Sequence, residues 1–198
     1  MKFLKANSCT FDPRPQMGKI LAEGFYEHGL KSISKNKGKL ADALAHAFCL
    51  DKFYLAVEGE NILGFAACTN GKAPILLSKK ELIRGLGFIR GRIAFWALNK
   101  FMVNHHYPFE ILDTMGVIEF VTTSPEHRGK GVAGKLIAYI MDDKQNDSYI
   151  LEVADTNTSA IRVYEKLGFV EFIRIPAPKS VDFKNLVYMR TGNGTKDM

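Results

Sequence analysis

The feature that most constrains this chain is a glycine-bearing loop that joins a strand pattern to a helix pattern. The stretch MGVIEFVTTS (115–124) is rich in β-branched and aromatic residues, which predicts a strand. HRGKGVAGKL (127–136) follows it, and beyond Gly131 the apolar residues recur at helical spacing. We therefore expect a strand, a loop and a helix N-terminus in succession. In such an arrangement the backbone N–H groups and the helix dipole can bind an anion.

Two sequence patterns fit this loop, and each predicts a different bound anion. From Gly129 it fits the nucleotide P-loop G-x-x-x-x-G-K, but Leu136 stands where a Ser or Thr hydroxyl would hold Mg²⁺. Leu136 also belongs to the apolar face of the predicted helix, so the core requires it. From Arg128 the loop instead fits R-x-x-G-x-A. A nucleoside triphosphate is thus disfavoured, and for the loop taken alone a tight turn without any ligand stays open.

A second motif lies one predicted strand further along the chain. SYILEVAD (148–155) has the composition of a strand, and NTSAIRVYEKLGF (157–169) predicts a helix that Gly168 ends. Together with SPEHRGKGVAGKLI, this second motif closely resembles the two signature motifs of the GNAT family of N-acetyltransferases. The matching residues are Arg128, Gly131 and Ala133 in the first motif and Asn157, Ala160, Tyr164, Glu165, Lys166, Gly168 and Phe169 in the second.

The resemblance covers 115–190 well and the earlier chain loosely, and it implies both a fold and a co-substrate. The fold is α+β, with a mixed, mostly antiparallel sheet of about six or seven strands, helices on both faces, and a splay between the fourth and fifth strands. Acetyl-coenzyme A (acetyl-CoA) lies in that splay, and no metal takes part. Its pyrophosphate is expected on the loop N–H groups and its pantetheine along the strand, as an added strand would pair. The residues expected to bind it are Val121, Thr122, Thr123, Arg128, Gly129, Lys130, Gly131, Val132, Ala133, Gly134, Asn157, Ala160 and Tyr164.

Acetyl transfer to an amine needs a proton acceptor and, for the departing thiolate, a proton donor. Tyr164 resembles the family's usual general acid and is expected at the sulfur, whereas its spacing alone would indicate a core tyrosine. Glu119 is the candidate base, directly or through water, and alternation predicts that it shares a strand face with Val121 and Thr123. An ordinary polar role at the open side of the sheet stays open for Glu119. A backbone N–H within 121–123 is expected to stabilise the oxyanion.

The rest of the pattern predicts one domain over residues 1–190 and a disordered tail at 191–198. Hydrophobic spacing alone already indicates mostly antiparallel strands with interleaved helices. The further predicted elements are a strand at 2–7, helices at 14–28 and 40–48, two strands within 53–71, and closing strands at 169–175 and 183–190.

A helical insertion at about 74–111 interrupts this layout, and the resemblance offers nothing for it. Ser78 and Glu81 form a capping box, so a helix is predicted to begin there, although its glycines weaken it. The stretch IAFWALNKFMV (93–103) predicts a second helix that is apolar on all sides and should be buried.

The insertion also carries most of the net charge of +6, since residues 79–104 hold six basic residues and one acidic residue. Three interpretations stay open for it. They are a solvated helical pair, a cover that favours an acidic or carboxylate-bearing amine acceptor, and a homodimer interface around Phe95, Trp96 and Phe101. No nucleic acid partner is expected, because no basic stripe with interleaved stacking residues extends beyond this segment.

The sequence does not indicate metal, disulfide or membrane sites. Cys9, Cys49 and Cys68 are widely spaced without a C-x-x-C pair, which favours buried free thiols. His105 and His106 are adjacent, a spacing unsuited to a metal pair, and are expected in solvent or at the acceptor site. No apolar stretch of about 18 residues predicts a membrane span, and the N-terminus lacks a signal pattern. A cytoplasmic protein without a membrane partner is therefore expected.

These observations predict an acetyl-CoA-dependent N-acetyltransferase that moves the acetyl group directly from the thioester to a primary amine. The acceptor is a small molecule or a peptide, and the sequence does not name it. The alternative is a non-catalytic protein that binds or senses acyl-CoA. The presence of both Tyr164 and Glu119 favours the enzyme.

Overall fold

The computed structural model describes residues 1–104, 106–143, 145–178 and 181–192. His105 and residues 193–198 of the predicted tail lie outside this part of the chain.

The described strands form one seven-stranded sheet in the order β1-β2-β3-β4-β5-β7-β6. Strands β4 and β5 are parallel, and every other neighbouring pair is antiparallel. The predicted mixed, mostly antiparallel α+β fold with helices on both faces is confirmed. The strands are β1 (Lys2–Lys5), β2 (Phe53–Glu58), β3 (Asn61–Thr69), β4 (Met115–Thr123), β5 (Ser148–Ala154), β6 (Val170–Pro176) and β7 (Asn185–Arg190).

The helices depart from the predicted bounds mainly at their ends. The first ends at Gly24 rather than residue 28, because a π-helical turn at Tyr26–Leu30 replaces its last part. The third begins at Lys37, where the Asn36 side chain accepts a hydrogen bond from the N–H of Lys39 as an N-cap. The helices are α1 (Arg14–Gly24), α2 (Lys31–Ile33), α3 (Lys37–Ala45), α4 (Lys79–Leu86), α5 (Phe88–Leu98), α6 (Val132–Asp142) and α7 (Thr158–Lys166).

Alternating side chains of the sheet enter two separate cores. On what we call the first face, the sheet packs against α1, α3, α4 and α5 around Phe53 and Phe65. On the second face, it packs against α6 and α7 around Ile118 and Leu136. A ligand held in the plane of the sheet between these layers can therefore meet different groups from each side.

The insertion forms the helical pair α4–α5 on the first face. The Ser78 hydroxyl accepts a hydrogen bond from the N–H of Glu81, whereas the N–H of Ser78 donates to Nε2 of His46, so one half of the predicted capping box is present. The glycines do not simply weaken the helices: a Cβ at Gly91 would stand 2.5 Å from the Cα of Ile83, so glycine lets α5 cross α4 closely. Helix α5 begins five residues earlier than predicted, and its outer side is exposed rather than buried.

Candidate active site

Strands β4 and β5 separate in the middle of the sheet. Their parallel ladder runs from Met115 opposite Ser148 to Ile118 opposite Leu151. Beyond this point β4 still pairs with β3 as far as Thr123, and β5 still pairs with β7. The facing edges of 119–123 and 152–154 thus diverge as a wedge, each supported from behind. A flexible, extended ligand arm fits such an opening because unpaired strand edges offer backbone hydrogen bonds.

A β-bulge lies on the wedge side of β4. Phe120 has a φ of 55°, and the register against β3 shifts by one residue at this point. Phe120 therefore packs into the first core, with its ring 6.0 Å from that of Phe25, and Val121 turns to the second core.

The bulge changes the expected faces of the site. Glu119 lies opposite Ala67, a residue of the first core, so Glu119 and Val121 are on different faces. The prediction that they share a face is wrong, because simple alternation does not survive a bulge. The consequence is that the Glu119 carboxylate approaches the wedge from the first face alone.

The glycine loop that leads into α6 is ordered by its own hydrogen bonds. The Ser124 N–H donates to the Leu63 carbonyl oxygen at 2.9 Å, and the Ser124 hydroxyl lies 2.7 Å from Nδ1 of His127. Gly129 has a φ of 73° and Gly131, the N-cap, a φ of 76°, a left-handed conformation that side chains disfavour. The loop backbone is thus held in one shape.

This loop points a set of backbone N–H groups outward at the start of α6. The N–H of Lys135 makes the first intrahelical hydrogen bond, to Gly131, so the N–H groups of 132–134 precede the helical ladder. Arg128 and Lys130 are exposed on the loop, and a Cβ on Gly129 would meet no atom within 4 Å. Lys135 adds a third exposed cation, which the motif comparison did not single out. The arrangement suits a polyanion such as a pyrophosphate.

Helices α6 and α7 touch where the loop ends. A Cβ on Gly134 would stand 3.2 Å from Cγ1 of Val163 on α7. Asn157 caps α7: its side-chain oxygen accepts a hydrogen bond from the N–H of Ala160 at 3.2 Å. This capping role of Asn157 was not anticipated, although an Asn before a helix is a recognised N-cap signal.

Tyr164 lies on the inner side of α7 in the second core. Its ring is 6.1 Å from that of Phe169, and the residue is 6% exposed. Burial raises the pKa of Tyr164 to about 12. The phenol is therefore protonated at neutral pH and can act as a hydrogen-bond donor.

Glu119 is held by two hydroxyl groups. Tyr107 donates its phenolic hydrogen to Oε1 at 2.9 Å, and Thr69 donates to Oε2 at 3.4 Å. Tyr107 lies near the end of the predicted insertion, after helix α5, and sequence reasoning did not single it out. Accepting hydrogen bonds from two hydroxyls fixes the orientation of the Glu119 carboxylate.

Four aromatic rings line the first face next to this carboxylate. The Phe109 ring lies 5.0 Å from Phe172, 5.3 Å from Tyr188 and 5.7 Å from Tyr107. We call these four residues the aromatic cluster. Tyr107 and Phe109 come from the end of the insertion, and Phe172 and Tyr188 come from β6 and β7, so only the folded chain brings them together.

A second carboxylate stands across the wedge from the first. Glu152 directly follows Leu151, which is the last residue of β5 that pairs with β4. Glu152 lies opposite Tyr188 of β7. Burial raises the pKa of Tyr188, and the charge of Glu152 raises it further. The pKa of Tyr107 is raised by burial, by the charge of Glu119 and by that of Glu152. Glu119 and Glu152 thus flank the mouth of the wedge on one face, and both could be found as acidic residues inside an apolar strand.

Within the part of the chain that the structure describes, the cysteines and acidic residues form no cluster suited to a metal. Cys9, Cys49 and Cys68 are free thiols, and burial raises the pKa of Cys68 to about 12, which keeps it protonated. Within the described ranges, no group of three or more His, Cys, Asp or Glu side chains is arranged to hold a metal ion.

Comparison with known proteins decides the family. The profile described as "Acetyltransferase (GNAT) family" matches residues 22–169, most of the chain. The chain belongs to the GNAT acetyltransferase family. Its two motifs build the loop before α6 and the helices α6 and α7.

Similar proteins include solved structures of the same fold. An N-acetyltransferase from Staphylococcus aureus Mu50 is 14% identical with a TM-score of 0.64, over 96% of this chain and 100% of that one. An aminoglycoside 6'-acetyltransferase type Ii is 12% identical with a TM-score of 0.58, over the full length of both chains. The catalytic subunit NAA20 of the Arabidopsis thaliana N-terminal acetyltransferase B complex is 39% identical over 64 residues. That match spans 30% of this chain and 37% of the Arabidopsis protein.

Proposed function

We propose that the protein transfers the acetyl group of acetyl-CoA directly to a primary amine that approaches from the first face. The observation that carries the proposal is the wedge, which opens between an N–H-rich helix start and a hydroxyl-held carboxylate. In this proposal the pantetheine arm pairs with the β4 edge at 121–123. The pyrophosphate rests on the N–H groups of 129–134, with Arg128 and Lys130 beside it.

The two helix-borne residues complete the donor side. The oxygen of Asn157 is engaged in the α7 cap, so its amide nitrogen is the group that meets the pantetheine. Ala160, one turn along, leaves room for the arm. Tyr164 then stands at the sulfur. A phenol with a pKa of about 12 is a weaker acid than an ordinary thiol, so it stabilises the leaving sulfur chiefly by a hydrogen bond as negative charge develops.

The acceptor side supplies the proton acceptor. The ammonium form of the amine loses a proton to Glu119, directly or through a water molecule. The neutral nitrogen attacks the carbonyl carbon and then loses its second proton to solvent as the C–S bond breaks. The departing sulfur takes a proton from solvent, or from the Tyr164 hydroxyl, which solvent then reprotonates. A backbone N–H of the bulged segment stabilises the oxyanion. Tyr107 acts as a positioning residue that fixes the carboxylate of Glu119.

The electrostatics of the wedge mouth favour a cationic acceptor. Glu119 and Glu152 both lie on the first face at the mouth of the wedge. Their negative charges attract an ammonium and repel a neighbouring carboxylate. We therefore prefer an amine without an adjacent acid group over the acidic acceptor that the basic insertion suggested.

A matched pair of acceptors tests this proposal. Release of free thiol from acetyl-CoA should be at least about tenfold faster with tyramine than with tyrosine, because only the α-carboxylate differs. The Glu152→Gln variant should lower the ratio of the rate with tyramine to the rate with tyrosine. Calorimetry should also detect CoA binding and no binding of ATP with Mg²⁺. Tight CoA binding without thiol release for any amine in a broad panel would instead favour the non-catalytic sensor.

A further inference from the structure

Helix α5 presents its largest apolar side chains to the outside. Ile89, Ile93 and Trp96 follow the spacing of a single helical stripe and are 72%, 59% and 64% exposed. Phe88 at the helix start is 66% exposed. The buried residues of the helix, Gly91, Ala94 and Leu98, lie on the opposite side, which packs on the protein. A helix with apolar residues on all sides is normally buried on all sides, so we expect another surface to cover the outer stripe.

Cations border this stripe on both sides. The Arg92 guanidinium lies 5.5 Å from the Phe88 ring centroid, and the Lys100 ammonium 5.3 Å from that of Trp96. On the other flank, Arg90 lines a depression of about 380 Å³ together with Lys31, Lys35 and Lys39. Two segments distant in sequence thus bring their basic residues to one side of the molecule.

The charge distribution of the whole chain follows the same division. Residues 31–39 and 79–104 together hold ten basic residues and one acidic residue, and that acidic residue, Glu81, pairs with Arg84. The remaining chain has seventeen basic and twenty acidic residues. The net positive charge of the protein therefore comes from the surroundings of the α5 stripe.

We propose that this surface docks on a lipid bilayer that contains anionic lipids, with α5 lying in the plane of the interface. The surface consists of the α5 stripe and its basic border. Charge complementarity favours an anionic occupant, and the lysine-rich border favours lipid over protein, because lysine is depleted at protein interfaces. Tryptophan and long basic side chains also suit the headgroup level, where rings and stems are buried and charges stay hydrated.

The dimensions of the helix are those of surface association. An eleven-residue helix is about 16 Å long, roughly half the thickness of a hydrocarbon core. None of the helices within the described ranges has the length and hydropathy that a bilayer crossing requires. The absence of a spanning segment, on which the expectation of no membrane partner was based, does not bear on docking in this orientation.

The protein contains its own reporter for the test. Trp96 is the single tryptophan of the chain and lies within the stripe. We expect the full chain to co-float with phosphatidylcholine vesicles that contain phosphatidylglycerol at least about tenfold more than with pure phosphatidylcholine vesicles. Trp96 emission should shift to shorter wavelength and become protected from an aqueous quencher when these vesicles are added.

Two double variants separate the contributions of charge and apolar surface. Arg90→Ser with Arg92→Ser should reduce flotation with anionic vesicles by about tenfold. Ile89→Ser with Ile93→Ser should reduce it by a similar factor and abolish the Trp96 shift, because insertion needs apolar contact. A matched control, Lys2→Ser with Arg162→Ser, removes two exposed charges elsewhere and should stay within about twofold of the wild type.

Three results would overturn the proposal. The first is equal flotation with both kinds of vesicle, or none with either, which would leave the surface to a protein partner. The second is flotation without a change in Trp96 emission, which means that the stripe stays outside the lipid. The third is a lipid-free dimer that the isoleucine variant dissociates and that already protects Trp96, which assigns the surface to a second copy.

Discussion

The two faces of the sheet approach the wedge with different chemistry. From the second face come the backbone N–H groups at the start of α6 and one phenol, Tyr164, set in an apolar core. From the first face come two carboxylates and the aromatic cluster. Main-chain groups recognise a ligand by its shape and charge, and the surrounding side chains matter little. The first face instead recognises its ligand through the identity of its own side chains. We infer that the donor side is generic and that the acceptor side sets specificity.

The largest expected effect tests the donor side. Gly131→Glu should weaken CoA binding at least about 100-fold, because the new carboxylate repels the pyrophosphate and displaces several charge-assisted hydrogen bonds. Gly131→Asn is the control, since asparagine tolerates the left-handed backbone at φ 76° and adds no charge. Calorimetry measures affinity and thermal unfolding reports the fold. A folded Glu variant with wild-type affinity would move the phosphate site elsewhere.

The next effect separates binding from chemistry on the same side. Tyr164→Phe should lower kcat about 100-fold and leave the CoA dissociation constant nearly unchanged, because only the hydroxyl is lost. Single-turnover rates and CoA titrations measure the two quantities. A fully active phenylalanine variant would mean that solvent alone protonates the thiolate, and the second face would then contribute binding only.

A comparable effect is expected on the acceptor side, with a different dependence on pH. Glu119→Gln should lower kcat/KM about 100-fold near neutral pH. The loss of kcat/KM relative to the wild type should become smaller as the pH rises, because a growing fraction of the amine is then already neutral and needs no base. The measurement is kcat/KM against pH for both proteins. Parallel profiles at every pH would reduce Glu119 to a polar strand residue.

The smallest effect concerns positioning of the base. Tyr107→Phe removes the 2.9 Å hydrogen bond to Glu119 and should lower kcat/KM by about three- to tenfold, the equivalent of about 1 kcal/mol. Acetyl-CoA affinity should not change, in contrast to the donor-side glycine variant. Tyr26→Phe is a matched control, because Tyr26 donates to the Lys35 carbonyl oxygen in an exposed region. Equal losses in both variants would indicate a general effect of the substitution.

Sequence could predict the secondary structure of the donor side because the residues of each motif are close together in the chain, and the ligand contacts of these residues stay predictions. The loop, the helix that follows and the Asn157–Phe169 motif each form local structure, and the resemblance supplied their order in space. The acceptor side resisted prediction for two reasons. Alternation assumes a regular strand, and the bulge at Phe120 moved Glu119 to the other face from Val121. Tyr107 meets Glu119 only through the path of the last part of the insertion, for which no local pattern exists.

The contact between Gly134 and Val163 fixes the distance between the two ends of the donor side. Helix α6 begins at the turn proposed for the pyrophosphate and rests directly on α7, which carries Tyr164. The separation between that turn and the phenol is therefore set by helix packing, not by a flexible tether. A thioester whose arm is shorter or longer than pantetheine cannot satisfy both ends at once. In the proposed function, the protein would thus discriminate among acyl donors by the length of the arm that carries the thioester.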